Sequence, residues 1–360
     1  MPLRHDKKRV IVAMSGGVDS SVCAHLLKER GYEVMGVTIK TWANSECRDE
    51  KSKGCCSLRD IDDARSVARK LDIPYYVMDL AADFKEKIID YFVDEYLLGR
   101  TPNPCIECNR HIKFGILLDK ARELDASFVA TGHYARKGFD ELEGRFYVEE
   151  AADLSKDQSY VLFGLSQEQL SSILFPVGEL QKNQIRGLAR KLGLRVHDKA
   201  DSQEICFIRD NYTRFVREYA PDRLKGPGDL ALSTGEVAGR HNGAHEYTVG
   251  QRKRIRVTNP SPYYVTRIDA EKNLVVIGKE DELFSAKMTV HKVNWILRPR
   301  LGEVSVKIRY LHAKAPATIV DMNDQEVRIR FKSPQKAIAP GQAAVFYEGS
   351  RVLGGGWIKN

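Results

Sequence analysis

Residues 9–31 read RVIVAMSGGVDSSVCAHLLKERG, and this stretch decides the fold of the N-terminal part of the chain. An apolar, β-type run from Val10 to Met14 leads into a Ser-Gly-Gly turn, and a helical pattern follows that ends at Gly31. Glycines allow a backbone to approach phosphate closely, and the N–H groups and dipole at a helix start attract anions. The stretch therefore predicts a phosphate-binding loop, with an ordinary tight turn in an α/β sheet as the alternative.

The loop lacks the lysine of a Walker A motif, and Asp19 stands at the start of the helix. A phosphate-binding loop of this kind suits a magnesium-bound pyrophosphate that departs as a leaving group. The simpler interpretation of Asp19 is a carboxylate that only interacts with the dipole at the start of the helix. The segment SGGVDS at residues 15–20 resembles the PP-loop of the ATP pyrophosphatases. This resemblance implies cleavage of ATP between the α and β phosphates, with adenylation of a substrate.

Length and composition describe a globular chain of two or three domains. It has 360 residues, of which 42% are hydrophobic and 29% are charged. The sequence has no run of about 18 apolar residues, the length that a membrane span needs. Residues 1–9, MPLRHDKKR, lack the apolar segment of a signal peptide. We therefore expect a cytoplasmic protein whose seven cysteines are mostly reduced.

The charge distribution favours a polyanionic partner. Lys and Arg number 57 against 49 Asp and Glu, which gives a net charge of +8. Three basic clusters follow the glycine turn: Lys182, Arg186, Arg190, Lys191, Arg195 and Lys199; Arg252, Lys253, Arg254 and Arg256; and Lys307, Arg309 and Lys314. A solvated surface explains any one cluster, but three of them downstream of a nucleotide site favour a nucleic-acid substrate.

Strand and helix patterns alternate up to about residue 132, which predicts an α/β fold with a doubly wound parallel sheet. Further strands are predicted at Glu33–Ile39, Tyr75–Met78 and Phe128–Thr131, and helices at Asp60–Leu71, Phe84–Leu98, Cys108–Ala121 and Gln184–Leu192. Ligands of such sheets bind at the carboxyl ends of the strands. The glycine turn after the first strand and Gly132-His133 after the fourth are therefore expected to face one crevice.

Beyond Asp201 the helical period fades, and short segments between Gly, Pro and Asn-Gly turns predict a small β-rich module. From about residue 280 apolar and polar residues alternate, as around Val304 and Val306, which predicts an antiparallel β-barrel or sandwich. We divide the chain into a PP-loop ATP-binding catalytic domain at 1–205, a central β-rich domain at 206–279 and a C-terminal antiparallel β-barrel at 280–360.

Residues 100–109 read RTPNPCIECN and carry two cysteines, Cys105 and Cys108. Two prolines fix a loop that is expected to open a helix at or near Cys108. A thiol at a helix start, close to Arg110, gains thiolate character. Cys206 lies far away in sequence between polar flanks.

Three interpretations of these thiols remain open. A structural zinc site would need two ligands beyond Cys105 and Cys108. Such ligands would come from Cys206, Cys47, Cys55 or Cys56. A redox dithiol would work alone. In a sulfur-transfer pair, one thiol carries a persulfide and another acts as nucleophile. This last interpretation explains why thiols accompany an adenylating loop, because sulfur can displace an adenylated oxygen.

An ordered set of motifs is similar to the bacterial tRNA-specific 2-thiouridylases and spans nearly all 360 residues. The set comprises Ala13–Ser20, Thr101–Pro104, Cys108-Asn109, Ala130–Tyr134, Lys156–Tyr160, Ile205–Phe207, Arg309-Tyr310 and Pro340–Gln342. No single motif is decisive, whereas the order of all of them is highly specific. The resemblance implies a tRNA-uridine 2-sulfurtransferase with a PP-loop domain, a central β-rich domain and a C-terminal barrel that contacts tRNA.

The resemblance also implies roles for individual residues. ATP would be held by Ala13, Met14, Ser15, Gly16, Gly17, Val18, Asp19, Ser20, Ile39 and Gly132. Cys108 would be the nucleophile and Cys206 the carrier of the persulfide. The target base would contact Asn103, Pro104 and Cys105. Other parts of the tRNA would contact His133, Lys156, Asp157, Gln158, Arg309, Tyr310 and Gln342.

The implied reaction uses ATP and Mg²⁺ to adenylate the C2 oxygen of the wobble uridine in the tRNA anticodon stem-loop. A sulfur-donor protein would supply the persulfide. Sulfur would reach the base directly from Cys206, or as sulfide after Cys108 attacks and a Cys108–Cys206 disulfide forms. A hydrogen-bonded structural role for His133 stays open, and Arg309 and Tyr310 are expected at adjacent positions of one strand.

One departure from the family pattern concerns Cys105, since some members carry Asp at this position. A third thiol would allow Cys105, Cys108 and Cys206 to bind three irons of a [4Fe–4S] cluster. Two other classes of function also stay open. A PP-loop ligase resembling lysidine synthetase would need no thiols, and a non-catalytic RNA-binding protein would release no pyrophosphate.

Overall fold

The computed structural model describes residues 8–41, 58–201, 205–208, 210–255, 257, 261–323 and 325–359. The chain forms two compact units, and each combines segments that are distant in sequence. The first unit holds Met1–Ile88, Cys105–Arg209 and Ser350–Val352, and the second holds Ile89–Pro104, Asp210–Gly349 and Leu353–Asn360. Within the described residues, no helix has the length and apolar character needed to cross a membrane.

A five-stranded parallel sheet organises the first unit, which confirms the predicted α/β fold. The strands of this unit are β1 (Arg9–Ala13), β2 (Glu33–Lys40), β3 (Tyr75–Asp79), β4 (Phe128–Ala130), β5 (Ala135–Asp140), β6 (Arg145–Glu150) and β7 (Ile173–Leu174). The sheet has the order β3-β2-β1-β4-β7, and β5 and β6 form an antiparallel hairpin. Because β1 lies in the middle, its apolar run is buried on both faces, and Val10, Ile11 and Val12 are fully buried.

Helices cover the sheet with the apolar faces that the sequence predicts. The helices of this unit are α1 (Val18–Glu29), α2 (Leu58–Leu71), α3 (Ala81–Phe84), α5 (Pro104–Glu107), α6 (Leu117–Glu123), α7 (Gln167–Ser171) and α8 (Lys182–Lys191), with π-helical turns at Lys85–Asp90 and Cys108–Ile116. Helix α4 (Tyr91–Leu97) belongs to the second unit. Val10 and Val12 share a core with Val22 of α1, Val67 of α2 and Ile185 of α8. One face of β1 is therefore packed against three helices.

The helix predicted to begin at or near Cys108 begins one turn earlier, at Pro104. Proline fits the first position of a helix because its fixed φ is already helical and the N–H that it lacks would have no partner there. Cys108 is consequently the first residue of the π-helical stretch and not the helix N-terminus. Stretches of π-helix are rare and occur frequently at functional sites.

The second unit contains a four-stranded sheet and a short helix. The elements are α9 (Tyr212–Tyr219), β8 (Gly228–Leu232), β9 (Val237–His241), β10 (Tyr264–Asp269) and β11 (Leu274–Gly278), and the sheet order is β10-β11-β8-β9. The predicted β-rich module is confirmed, and one helix, α9, precedes its first strand. Asn211 caps α9, since its Oδ1 accepts a hydrogen bond from the Thr213 N–H at 2.9 Å.

The predicted C-terminal antiparallel barrel is also confirmed. Its strands are β12 (Phe284–Trp295), β13 (Gly302–Lys307), β14 (Ala315–Met322), β15 (Glu326–Lys336), β16 (Ala343–Glu348) and β17 (Arg351–Ile358). They follow the order β12-β15-β14-β13-β16-β17, and pairing of β12 with β17 closes the barrel and leaves no open edge. Strand β13 ends at Lys307, so Arg309 and Tyr310 lie in the bend after it and not at adjacent strand positions.

Candidate active site

The glycine turn has a shape that only glycine permits at one position. Gly16 has φ +72°, and a Cβ built on it would lie 2.3 Å from the carbonyl oxygen of Asp60. Gly17 is the N-cap of α1 and offers no side-chain cap, while the first N–H groups of any α-helix lack an intrahelical partner. The turn therefore presents backbone donors and a helix dipole to an anion, which fits the phosphates of ATP.

Gly132 brings the end of β4 against the same turn. A Cβ on Gly132 would lie 2.7 Å from the Ser20 nitrogen and 2.8 Å from the Asp19 carbonyl carbon. The segment after β4 therefore lies against the start of α1, as the expectation of one shared crevice requires. On the other side of β1, the Thr38 hydroxyl donates to the Met14 carbonyl at 2.6 Å, which holds the end of β2 with Ile39 beside the turn.

Two side chains from elsewhere in the unit bind Asp19. The Tyr134 hydroxyl donates to Asp19 Oδ1 at 2.6 Å, and the Lys182 ammonium lies 2.8 Å from the same oxygen. Burial and the charge of Asp19 raise the pKa of Tyr134, so its hydroxyl stays a proton donor. Lys182 also contacts Asp201 at 2.7 Å, and Lys156 contacts Asp201 at 2.8 Å.

Despite burial, the neighbouring lysines lower the pKa of the Asp201 carboxyl. Burial alone would raise that pKa, but hydrogen bonds from Lys156 and Lys182 outweigh burial and lower it. Asp201 therefore remains ionised and ties these two lysines together. It lies five residues before Cys206 in the sequence.

A second lysine, Lys199, holds the glycine turn from the side of α2. Its ammonium donates to the Gly16 carbonyl at 2.9 Å, to Asp60 at 2.7 Å and to Asp63 at 2.6 Å. Burial alone would lower the pKa of Lys199, but the two carboxylates outweigh that effect and raise it. The lysine therefore stays charged and fixes the turn to the start of α2.

These contacts correct the interpretation of three members of the first basic cluster as part of a surface for nucleic acid. Lys182, Lys199 and Arg186 point into the acidic groups around the glycine turn, and Arg186 lies 3.2 Å from Asp201. The sequence contains a local indication that Lys182 is not an ordinary surface residue. Lys182 is the first residue of α8, and the first turn of this helix has no acidic residue. A cation there opposes the helix dipole and is normally avoided.

The cysteines with predicted chemical roles also belong to the first unit. Cys105 is exposed, and Cys108 and Cys206 are partly buried. Phe207, next to Cys206, packs edge-to-face on Phe84 of α3 with 5.9 Å between ring centroids. Helix α3 also packs against the π-helical stretch that begins with Cys108. The segments that carry Cys108 and Cys206 therefore border the same helix.

The metal-ligand interpretations are not supported by the arrangement of these cysteines. Among the described residues, no three or more His, Cys, Asp or Glu side chains are grouped so as to hold a metal ion. The set Cys105, Cys108 and Cys206 therefore does not fit a [4Fe–4S] cluster here. Cys47, Cys55 and Cys56 lie outside the described residues. Cys23 is buried within α1, where burial raises the pKa of its thiol, in keeping with a packing role.

Three of the predicted tRNA residues of the first unit, Lys156, Asp157 and Gln158, are consecutive residues of one loop. Asp157 is buried and accepts hydrogen bonds from Ala151 and Ser159. Gln158 accepts from the Tyr134 N–H at 3.0 Å, which links this loop to the residue that contacts Asp19. Lys156 keeps 35% of its side chain exposed. Of the three, Lys156 is a partly exposed cation whose ammonium contacts Asp201, and its neighbours hold the loop in place.

His133 is buried against the rings of Phe114 and Phe175, and Nδ1 shares a hydrogen bond of 2.7 Å with the Thr131 hydroxyl. Burial, with a smaller effect of Lys113, holds the pKa of this imidazole well below its ordinary value. The ring is therefore neutral at physiological pH. This geometry is that of the structural histidine considered as an alternative to a tRNA contact.

Acid should destabilise the fold, in part through His133. Below an ordinary pKa of about 6.5 the imidazole gains a proton in the unfolded chain, whereas in the folded chain its lower pKa keeps it neutral. Stability is thus lost as pH falls, by up to about 1.4 kcal/mol per pH unit for this group. Urea unfolding near neutral pH and one to two units lower should show a smaller loss in His133→Gln than in the wild type. Equal losses would contradict this assignment.

In the second unit, two predicted tRNA residues bind loops through their side chains. Gln342 donates to the Thr101 carbonyl at 2.9 Å, and Thr101 N–H donates to the Pro340 carbonyl at 2.8 Å. The segment that carries Asn103 and Pro104 is therefore attached to the turn before β16. Arg309 donates to the Ala337 carbonyl at 2.7 Å, which fixes the bend that presents Tyr310.

Comparison with known proteins gives matches along the whole chain. A tRNA methyl transferase HUP domain matches residues 8–210, a tRNA methyl transferase PRC-barrel domain matches 213–279, and an aminomethyltransferase beta-barrel domain matches 285–358. The three matched regions follow the order of the sheet, the β-rich module and the barrel described above.

Curated relatives cover nearly the full length. The chain is 50% identical to a tRNA-specific 2-thiouridylase MnmA of Symbiobacterium thermophilum, over 98% of this chain and 92% of the relative. It is 50% identical to a tRNA-specific 2-thiouridylase MnmA 2 of Caldanaerobacter subterraneus, over 98% of both. A tRNA-specific 2-thiouridylase MnmA of Geotalea uraniireducens is 48% identical, over 100% of this chain and 97% of the relative. The chain therefore belongs to the tRNA-specific 2-thiouridylase family.

Proposed function

We propose that the chain is an ATP-dependent tRNA-uridine 2-sulfurtransferase that replaces the C2 oxygen of the wobble uridine with sulfur. The observation that carries the proposal is the contact of Gly132 with the first turn of α1, in the unit that also contains Cys108 and Cys206. A loop that makes an oxygen into a leaving group and thiols that replace it thus belong to one unit. The activity named for the relatives supports the same reaction.

In the first half-reaction, the C2 oxygen of uridine attacks the α phosphorus of ATP. The bond to the bridging oxygen of the β phosphate breaks, pyrophosphate leaves, and the N3 proton of uridine is lost. The chain contributes by electrostatics, because backbone N–H groups of the glycine turn and the dipole of α1 face the phosphates. The nucleotide would be held by Ala13–Ser20 with Ile39 and Gly132. Asp19 would hold Mg²⁺, which neutralises phosphate charge when bound.

In the second half-reaction, the terminal sulfur of a Cys206 persulfide attacks C2, and AMP leaves with the former C2 oxygen. The Cys108 thiolate then attacks the Sγ of Cys206, so the sulfur–sulfur bond of the persulfide breaks and the transferred sulfur stays on the base. A Cys108–Cys206 disulfide forms and has to be reduced by an external dithiol. Attack by Cys108 before transfer, with release of hydrosulfide, gives the same products.

Recognition of tRNA is assigned to both units. A uridine of the anticodon loop can be turned out of its stack, as base-modifying enzymes require. Asn103, Pro104 and Cys105 would contact this base. Other contacts would come from Lys156, Arg309, Tyr310 and Gln342. Asp157, Gln158 and His133 would act by holding the segments around Lys156 and Tyr134 in place. We assign catalysis to residues 1–205, a central domain to 206–279 and further tRNA contacts to 280–360.

The proposal also includes a donor and a location. A persulfide on Cys206 has to be formed by a sulfur-donor protein, since the chain itself supplies no source of sulfur at this oxidation level. Both the persulfide and the reduction of the disulfide fit a thiol-reducing cytoplasm.

Incubation of an unmodified tRNA with the protein, ATP, Mg²⁺, a protein that donates persulfide sulfur and a dithiol tests this function. Mass spectrometry of the nucleosides should show 2-thiouridine at the wobble position, with one AMP and one pyrophosphate formed per modified base. Pyrophosphate release with an amine-containing product would instead favour a ligase. Binding of tRNA without pyrophosphate release would favour a non-catalytic RNA-binding protein.

A further inference from the structure

Lys182 is a shielded cation that the reaction described above does not use. Its side chain is only 12% exposed. The ammonium donates to both oxygens of Asp19, at 2.8 and 2.9 Å, and contacts Asp201 at 2.7 Å. The Tyr134 ring lies 5.5 Å from the same nitrogen. An ammonium so far removed from water requires negative partners.

The position of Lys182 at the start of α8 does not favour a lysine, which indicates that its ammonium group has a role. It is the first residue of α8, where a cation opposes the helix dipole. Its backbone N–H is already satisfied by Asp153 at 2.9 Å. The backbone of α8 would therefore tolerate many residues here, and a neutral or acidic one would suit the helix better.

The ammonium of Lys182 lies at the start of α1, next to a glycine turn that has no lysine of its own. Asp19 is the second residue of α1, so the Lys182 nitrogen lies at the end of α1 that faces phosphate. The turn itself has no lysine, unlike a Walker A loop. An ammonium acts on phosphate as a compact point charge and does not need to come from the loop itself.

We propose that Lys182 binds the β and γ phosphates of ATP and stabilises the departing pyrophosphate, as the cation that the glycine turn lacks. This inference rests on the proposed use of ATP and adds a residue to that site. Phosphate oxygens replace Asp19 and Asp201 as partners of the ammonium, and Tyr134 remains bound to Asp19. The step is an exchange of ionic contacts in which no covalent bond changes.

Binding of two nucleotides in the presence of Mg²⁺, measured by calorimetry without tRNA or sulfur, tests this inference. One nucleotide is α,β-methylene-ATP, which carries the β and γ phosphates but cannot be cleaved between α and β. The other is AMP, which lacks both phosphates. Lys182→Met should weaken binding of the ATP analogue about 10- to 100-fold, the loss expected for one charged hydrogen-bonding partner. AMP should bind as tightly as it does to the wild type.

Two further variants make the outcome specific. Lys182→Arg keeps the charge and should recover most of the lost affinity for the ATP analogue. Lys120→Met removes an exposed lysine of α6 that, within the described part of the chain, pairs with Glu123 in a surface contact, and it should change neither affinity. AMP binding also shows whether the Lys182 variants retain a folded site.

The possible results separate this inference from the proposed function. Unchanged affinity of Lys182→Met for the ATP analogue would overturn the inference while leaving ATP use intact. An equal loss for AMP and the analogue would also overturn it, because a purely structural lysine predicts that pattern. A wild-type protein that binds neither nucleotide would instead contradict the proposed function itself.

Discussion

Replacing Cys206 with serine should abolish formation of 2-thiouridine, by a factor of about a thousand or more, while tRNA-dependent release of pyrophosphate continues. Serine is nearly isosteric with cysteine but cannot carry a persulfide, so the sulfur half-reaction loses its donor. The glycine turn and its lysines are untouched by the change, and adenylation of the base should proceed. Thiouridine is measured by mass spectrometry of nucleosides, and pyrophosphate by its release from labelled ATP.

Cys108→Ser provides an informative comparison, because it should block thiolation at a different step. The persulfide on Cys206 should still form, and the intact protein should then be heavier by the mass of one sulfur atom. Cys23→Ala removes a thiol that packs within α1, and it should keep both half-reactions apart from a loss of stability. Thiolation by Cys206→Ser at the wild-type rate would remove this cysteine from the mechanism.

Replacing Gly16 with alanine should abolish use of ATP. The added Cβ would lie 2.3 Å from the Asp60 carbonyl oxygen, and neither group can move away without shifting the backbone. The φ of +72° adds strain of about 1–2 kcal/mol for any residue with a Cβ. A turn displaced in this way no longer directs its N–H groups at phosphate. We expect the affinity for α,β-methylene-ATP to fall by about a hundredfold or more.

A second glycine variant separates the backbone strain of a positive φ from the clash of the added Cβ with Asp60. Gly31, at the other end of α1, has a similar φ of +83°, but a Cβ there would have no atom within 4 Å. Gly31→Ala should therefore lower the free energy of unfolding by a similar strain while leaving nucleotide affinity unchanged. If Gly16→Ala binds the ATP analogue as well as Gly31→Ala does, the glycine turn is not the phosphate site.

Local patterns were sufficient to predict the centre of the first unit. The run Val10–Met14, the two glycines and the apolar face of α2 each depend on neighbours within a few residues, and the structure reproduces them. The sheet topology then brings Gly132 to the turn, because parallel strands end at the same edge. Where sequence neighbours determine conformation, the sequence was informative.

Contacts between distant residues could not be predicted in this way. Lys182 and Lys199 looked like members of a basic surface, and their partners Asp19 and Asp60 lie well over 100 residues away in the chain. Likewise, nothing local shows that β13 ends at Lys307 and leaves Arg309 in a bend. The buried position of His133 also depends on rings from other segments. Such features are properties of tertiary packing, which overrides local preference.

The central claim is that the chain activates the C2 oxygen of uridine by adenylation and then replaces it with sulfur. It is tested most directly with a tRNA whose wobble uridine carries a heavy oxygen isotope at C2. After turnover with ATP and a sulfur source, the account predicts that the heavy oxygen is found in the phosphate of AMP, one atom for each 2-thiouridine formed. Thiouridine formed together with unlabelled AMP, or with the label in water or pyrophosphate, would contradict it.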